Sequence, residues 1–189
     1  MKKEIYQAAV RGNIDFLEEA QTKDVEAVAF FYNNDDLLGL TSHGNNIIHV
    51  AAKHGQLNFI KKALELIFPK KLICGTNLDG DTPLHLAAKQ QTQTIVEHLI
   101  TSYNVDRDDN EITSLLSLSS SSSSPPLLPP WRVQNKKGNT PLHVALMNGG
   151  KSIEVAAYLV GVDPEVASFV NHLKQTPLHL AVKYNNQGA

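Results

Sequence analysis

A seven-residue pattern that recurs along the chain constrains its fold more than any other feature of the sequence. The copies are NIIHVAA at 46–52, TPLHLAA at 82–88, TPLHVAL at 140–146 and TPLHLAV at 176–182. Their histidines lie 36, 58 and 36 residues apart. Self-similarity with a period of about 20 to 50 residues is typical of proteins that stack one supersecondary unit repeatedly. The sequence therefore predicts a repeat array.

Each copy of the pattern has the features of a helix start. Thr82 is a suitable N-cap, and Pro83 fits the first helical position, where its missing N–H costs nothing. His85 falls at the third position, from which its ring can reach back to the cap residue, as glutamate does in a capping box. Apolar residues share one face over 84–88, and a second apolar stripe follows over 95–100. Each unit is predicted to be a turn, a helix, a short loop and a second helix.

The caps and their histidines are predicted to be structural. A fifth, weaker copy opens the chain, with Tyr6 in the place of His49. Between the two helices, Gly55 suits a left-handed turn, whereas Gln91 replaces that glycine at a cost of about 1 kcal/mol. The positions to which we assign this structural role are His49, Thr82, His85, Thr140, His143, Thr176 and His179.

The longer middle interval holds a low-complexity stretch, with serine at every position of 119–124 and prolines after it. Such a composition buries too little apolar surface to offset its ordering entropy. We therefore predict repeats one to three over 1–102, a disordered Ser/Pro-rich insertion over 103–133, and repeats four and five over 134–189. The second helix of repeat three is expected to end near Ser102. Repeat five is expected to be truncated, since its second helix is missing before Ala189.

The bulk composition excludes several classes of function. A net charge of −2 lacks the basic excess expected of a nucleic-acid-binding protein. Cys74 is the single cysteine, so an internal disulfide is impossible and we interpret it as an inert small residue in a reducing compartment. The first residues lack a signal-peptide core, and no apolar run is long enough to cross a bilayer. The expected location is the cytoplasm.

The pattern Thr-Pro-Leu-His-x-Ala at this period resembles the ankyrin repeat, over about 1–102 and 134–189. The resemblance implies an all-α solenoid of about five repeats that binds other proteins. The segments 77–88 and 135–145 further resemble the plant ankyrin proteins related to the accelerated-cell-death regulators. That family combines a cytoplasmic ankyrin array with membrane-spanning helices and is associated with defence and stress signalling. The spanning segment is missing from this sequence.

In an ankyrin stack the turns and first helices line the concave side. The resemblance therefore implies a partner-binding surface, although each residue in it can equally be an ordinary solvated position. The exposed candidates are His43, Asn45, Lys53, His54, Asp79, Asp81, Lys89, Gln90, Lys136, Lys137, Asn139, Met147 and Asn148.

Apparent catalytic signals have simpler interpretations. The segment 145–152 (ALMNGGKS) resembles a loose phosphate-binding loop, but it begins inside the helix that starts at Thr140, whose amides are already used. The other histidines lack paired metal-ligand spacing. We predict no catalytic residue, no metal, no cofactor and no small-molecule substrate.

Three features of the insertion leave alternatives open. The acidic cluster over 106–111 is a solvated loop or a docking patch. The Pro126–Pro129 segment is a spacer or a polyproline ligand. The serine run is a possible phosphorylation site. The leading hypothesis for the chain is a protein-interaction scaffold with an unidentified partner, in plant stress or defence signalling. The second is the cytoplasmic piece of a plant membrane protein at the plasma membrane, and a nucleotide-using enzyme is a distant third.

Overall fold

A computed structural model describes residues 1–22, 39–66, 69–116, 128–147 and 153–185. These ranges contain α-helices, one 3-10 helix over Pro164–Ser168 and no β-strand. The helices are α1 (Lys3–Arg11), α2 (Asp15–Thr22), α3 (Ile47–Lys53), α4 (Leu57–Leu66), α5 (Pro69–Cys74), α6 (Pro83–Gln90), α7 (Gln93–Leu116), α8 (Pro141–Leu146), α9 (Ile153–Val162) and α10 (Pro177–Asn185).

The helices form hairpins that stack in chain order, which confirms the predicted all-α solenoid. The first helices α1, α3, α6, α8 and α10 contact one another in sequence, and the second helices α4, α7 and α9 pack side by side. The first helices approach one another closely because the residues between them are small. Ala52, Ala88 and Ala145 are fully buried there. One continuous apolar core results. Among the described residues, no helix combines the length and apolarity that a membrane span requires.

The loops between the paired helices follow the sequence prediction. Gly55 has a φ of 73°, and Gln91 adopts the same left-handed conformation at 59°. One element was not predicted: α5 lies between the second helix of repeat two and the next turn, and Cys74 is its last residue. The α5 segment is held by the Asn46 side chain, which donates a hydrogen bond of 2.9 Å to the Leu72 carbonyl.

The structure describes helix at the start and a turn at the end of the predicted disordered insertion over 103–133. Helix α7 continues beyond Ser102 to Leu116. Its buried apolar stripe extends past Ser102 to Tyr103, which is only 5% exposed. Trp131 packs edge-on against that ring, with centroids 5.5 Å apart and planes at 85°. Aromatic burial of this kind offsets the ordering cost that the composition suggested. Residues 117–127, with the serine run, lie outside the described residues.

Trp131 also joins repeat four to the end of α9. Its indole N–H donates a 3.1 Å hydrogen bond to Asp163 Oδ2. Arg132 binds both oxygens of the same carboxylate and also donates to Glu165 at 2.7 Å. The hydrogen bonds from Arg132 hold the pKa of Asp163 below its ordinary value. We name the group of Tyr103, Trp131, Arg132 and Asp163 the aromatic–acid cluster.

The fifth repeat is described as far as α10. Leu180 is buried against repeat four, whereas Leu178 and Val182 are 70% and 55% exposed. The described part of repeat five therefore presents apolar side chains to solvent.

Candidate functional site

The surface formed by the turns is built from one repeated hydrogen-bonding unit. In the turn 77–81, the Asn77 side-chain oxygen accepts hydrogen bonds of 2.9 Å from the backbone N–H groups of Asp79 and Asp81. Asn135 and Asn171 hold the next two turns in the same way, at 3.0 Å. These side chains occupy the turn's own donors, so each turn has a fixed shape before any partner arrives.

The turns are also joined to one another along the array. The Asn77 side-chain amide donates to Asn45 Oδ1 at 2.9 Å. The same contact joins Asn135 to Asp81 at 2.7 Å and Asn171 to Asn139 at 3.0 Å. Backbone hydrogen bonds of 2.9 to 3.1 Å accompany each side-chain contact. We call this series of contacts the turn ladder, and it continues across the insertion without a break.

The turn ladder changes the interpretation of three predicted surface residues. Asn139 was predicted to be exposed but is only 5% exposed, because its side chain accepts from the next turn. Asn45 and Asp81 are half-buried for the same reason. The donors are Asn77, Asn135 and Asn171, none of which was among the predicted surface residues. Their signal was present, since each lies five residues before a threonine cap.

Alanine substitutions at Gly80 and Gly55 test how closely successive turns approach one another. A Cβ added at Gly80 lies 2.8 Å from the Lys136 nitrogen, whereas one added at Gly55 meets nothing within 4 Å. Both residues have positive φ, at 78° and 73°. We expect Gly55→Ala to cost about 1 kcal/mol of unfolding free energy for the left-handed backbone alone. Gly80→Ala should cost at least about 1 kcal/mol more, because the turns must separate. Urea unfolding measures both, and equal losses would contradict the close turn contact.

The histidines of the repeated pattern connect each repeat to the next. The Nδ1 atoms of His49, His85 and His143 accept from the backbone N–H of the cap residue at 3.1 to 3.2 Å. Their Nε2 atoms donate to the carbonyls of Asp81, Asn139 and Gln175 at 2.8 to 3.1 Å. Carbonyl oxygens only accept, so the geometry requires the neutral ring with its proton on Nε2.

Burial favours that neutral ring. The three rings are at most 1% exposed, and desolvation lowers the pKa of His49 to about 4. Burial also lowers the pKa of His85 and of His143. His179 caps its helix like the others, at 3.3 Å, but its ring is exposed. With both nitrogens engaged, the three buried histidines are unsuited to proton transfer.

Most predicted surface residues line one groove of about 640 Å³ between repeats one and three, which we call the N-terminal groove. It also contains residues that the sequence analysis did not select, including Lys3, Tyr6 and Leu86. The predicted residues in this groove are His43, Asn45, Lys53, His54, Asp79, Asp81, Lys89 and Gln90.

A second concavity of about 380 Å³ lies between repeats four and five, and we call it the C-terminal groove. The predicted residues Lys136, Lys137, Asn139 and Met147 line it. Asn148 lies outside the described residues. Repeat five contributes lining residues that the sequence analysis omitted, namely His172, Leu173, Leu180, Lys183 and Tyr184.

Two other sequence signals, for metal ligation and for a phosphate-binding loop, can be compared with the described residues. No group of three His, Cys, Asp or Glu side chains within these ranges could hold a metal ion. Ala145 and Leu146 belong to α8, so the start of the loose phosphate-loop match is helical, without the strand that such a loop follows. The rest of that match, at 148–152, falls outside the described ranges.

Comparison with known proteins agrees with this geometry. The family model described as ankyrin repeats (3 copies) matches residues 5–110, 48–128 and 109–189. Over 145 residues, or 76% of the chain, the sequence is 32% identical to Protein ACCELERATED CELL DEATH 6 of Arabidopsis thaliana. The match covers 19% of that protein, so the chain spans about a fifth of the length of this relative.

Proposed function

The chain belongs to the ankyrin-repeat family, and from that premise we propose that it is a non-enzymatic scaffold that binds another protein along its concave surface. Ankyrin repeats support a protein-interaction role and generally form a fold without enzymatic activity. The observation that carries the proposal is the turn ladder, which orders a continuous row of turns beneath the exposed side chains.

A pre-ordered surface favours binding because the partner does not have to immobilise it. The turn backbones are fixed by the asparagine side chains, so little chain entropy is lost on association. Exposed side chains with varied chemistry stand on this framework, among them His43, Lys53, His54 and Gln90. A non-enzymatic role agrees with the histidines, because the buried rings use both nitrogens to hold neighbouring repeats together.

We further propose that the scaffold acts in plant stress or defence signalling, at the cytoplasmic side of a membrane or in the cytoplasm. Support comes from the 32% identity to the Arabidopsis protein named for accelerated cell death. The alternative is that this chain is the cytoplasmic part of a longer membrane signalling protein. Fractionation of the natural protein separates the two, since only a spanning form resists extraction of the membranes with alkaline carbonate.

Site-specific photocross-linking tests the scaffold role. A photoreactive amino acid replaces His54 in the N-terminal groove or, as the matched control, Lys61 on the outer surface; both positions are exposed. In plant extract, we expect discrete protein adducts from position 54, and these should be lost on competition with unlabelled protein. Adducts of equal yield and identity from position 61, or none from position 54, would contradict binding along the concave surface.

A further inference from the structure

The C-terminal groove carries positive charge without any acidic residue in its lining. Lys136 and Lys137 stand on the turn of repeat four, and Lys183 lies in the last turn of α10. All three side chains are exposed. The N-terminal groove differs, because Asp79 and Asp81 accompany its lysines. The concave surface therefore has mixed charges in the N-terminal groove and only positive charges in the C-terminal groove. The whole chain has a net charge of −2.

The three lysines have no internal counter-ion in the part of the chain that is described. Elsewhere in the structure, ion pairs are made: Arg132 binds Asp163 and Glu165, and Lys62 lies 3.5 Å from Glu18. In the C-terminal groove, no described carboxylate is within salt-bridge distance of Lys136, Lys137 or Lys183. Like charges that are held near one another without a counter-ion attract an external anion.

An apolar floor lies between the lysines. Leu180 is 2% exposed at its base, Met147 and Tyr184 are half-buried, and Leu173 is 75% exposed at its edge. Apolar side chains surrounded by fixed charges are suited to a ligand that has both an apolar group and negative charge.

We propose that the C-terminal groove binds an acidic, extended polypeptide segment, with carboxylates on the lysines and one apolar side chain on the floor. The proposal rests on the scaffold function and specifies the partner's chemistry. Lysines act as point charges, and the lining contains no arginine to bind a phosphate in bidentate fashion. The Tyr184 ring offers a poor platform for bases, because the Lys183 ammonium lies over it, 5.6 Å from the ring centre.

The repeat supplies a matched pair of lysines for the test. Lys53 and Lys183 each lie seven residues after a helix cap, in the N-terminal and C-terminal grooves. The probe is a short fluorescein-labelled peptide of glutamates around one leucine, followed by fluorescence anisotropy at low salt. We expect binding that weakens as salt rises. Lys183→Glu and Lys137→Glu should each weaken it about tenfold, which corresponds to about 1.4 kcal/mol, and Lys53→Glu less than about twofold.

Two further probes test the chemistry. Replacing the peptide's leucine with serine should lower affinity about tenfold, because the apolar floor loses its contact. A peptide with lysine in place of glutamate should not bind. Circular dichroism establishes that each variant is folded. A dissociation constant above about 1 mM for the acidic peptide, equal losses for Lys53→Glu and Lys183→Glu, or tighter binding of a single-stranded oligonucleotide would overturn the proposal.

Failure of the acidic-peptide proposal can be distinguished from failure of the proposed scaffold function. If cross-linking at position 54 captures a partner while the acidic peptide does not bind, the scaffold function stands and this groove assignment is wrong. If the peptide binds with the expected lysine dependence while position 54 captures nothing, the C-terminal groove is a peptide site and binding at the N-terminal groove is wrong.

Discussion

Replacing Trp131 with alanine should lower the free energy of unfolding by about 3 to 5 kcal/mol, the range for removing a large buried aromatic side chain. Trp131 is 7% exposed, packs edge-on against Tyr103 and donates to Asp163. The substitution removes all of these contacts and opens a cavity between α7 and the end of α9. Since Trp131 is the only tryptophan in the chain, urea unfolding must be followed by far-UV circular dichroism rather than by intrinsic fluorescence.

Leu128→Ala is the matched control for that substitution. Leu128 lies three residues earlier and is 62% exposed, so its truncation should change stability by less than about 0.5 kcal/mol. If Trp131→Ala costs no more than this control, the aromatic–acid cluster does not form in solution. The segment before repeat four would then be unordered, as its composition first suggested.

Acidification should destabilise the array through its buried histidines. The pKa of His49 is about 4 in the folded chain, below the value of about 6.5 in an unfolded chain. Below about pH 6.5 the unfolded chain therefore binds a proton that the folded chain does not. The neutral His49 ring contributes its full stabilisation above about pH 6.5. That contribution is lost as the pH falls towards 4. Between pH 7.5 and 5.0, His49 alone should account for a loss of about 2 kcal/mol.

A comparison of variants isolates this contribution from that of the carboxylates. His49→Gln lowers stability at neutral pH but removes the titration, so the difference in unfolding free energy between pH 7.5 and 5.0 should shrink by about 2 kcal/mol. Gln90→Ala, at an exposed position without a titratable group, should leave that difference unchanged. An identical pH dependence in both variants and the parent would mean that protonated His49 is tolerated inside the fold.

The repeat pattern was sufficient to predict the helix starts, because local chemistry determines them. Thr82 and His85 lie three residues apart, so their capping interaction can be recognised from spacing alone. The left-handed conformation of Gln91 was predictable for the same reason, since it occupies a position that favours glycine. Elements of this kind depend on neighbours within one turn of helix.

The missed features depend on contacts between distant parts of the chain. Trp131 and Asp163 are 32 residues apart, and no periodic signal connects them. The composition of the insertion suggested disorder, but a single tryptophan next to its prolines supplied enough burial to order that end. The turn ladder was missed although Asn77 and Asn135 have a regular spacing. Their partners, Asn45 and Asp81, lie on the preceding turn, and only the stack brings each pair within 3 Å.

The continuity of the turn ladder across the insertion makes this junction suitable for protein engineering. The Lys136 N–H bonds the Asp79 carbonyl, and His85 bonds the Asn139 carbonyl, as if no residues had been added between repeats three and four. Lengthening a connection costs only about 0.6 kcal/mol for each doubling. A fluorescent domain or an affinity tag fused between Leu116 and Leu128 should therefore leave the concave surface available to its ligands.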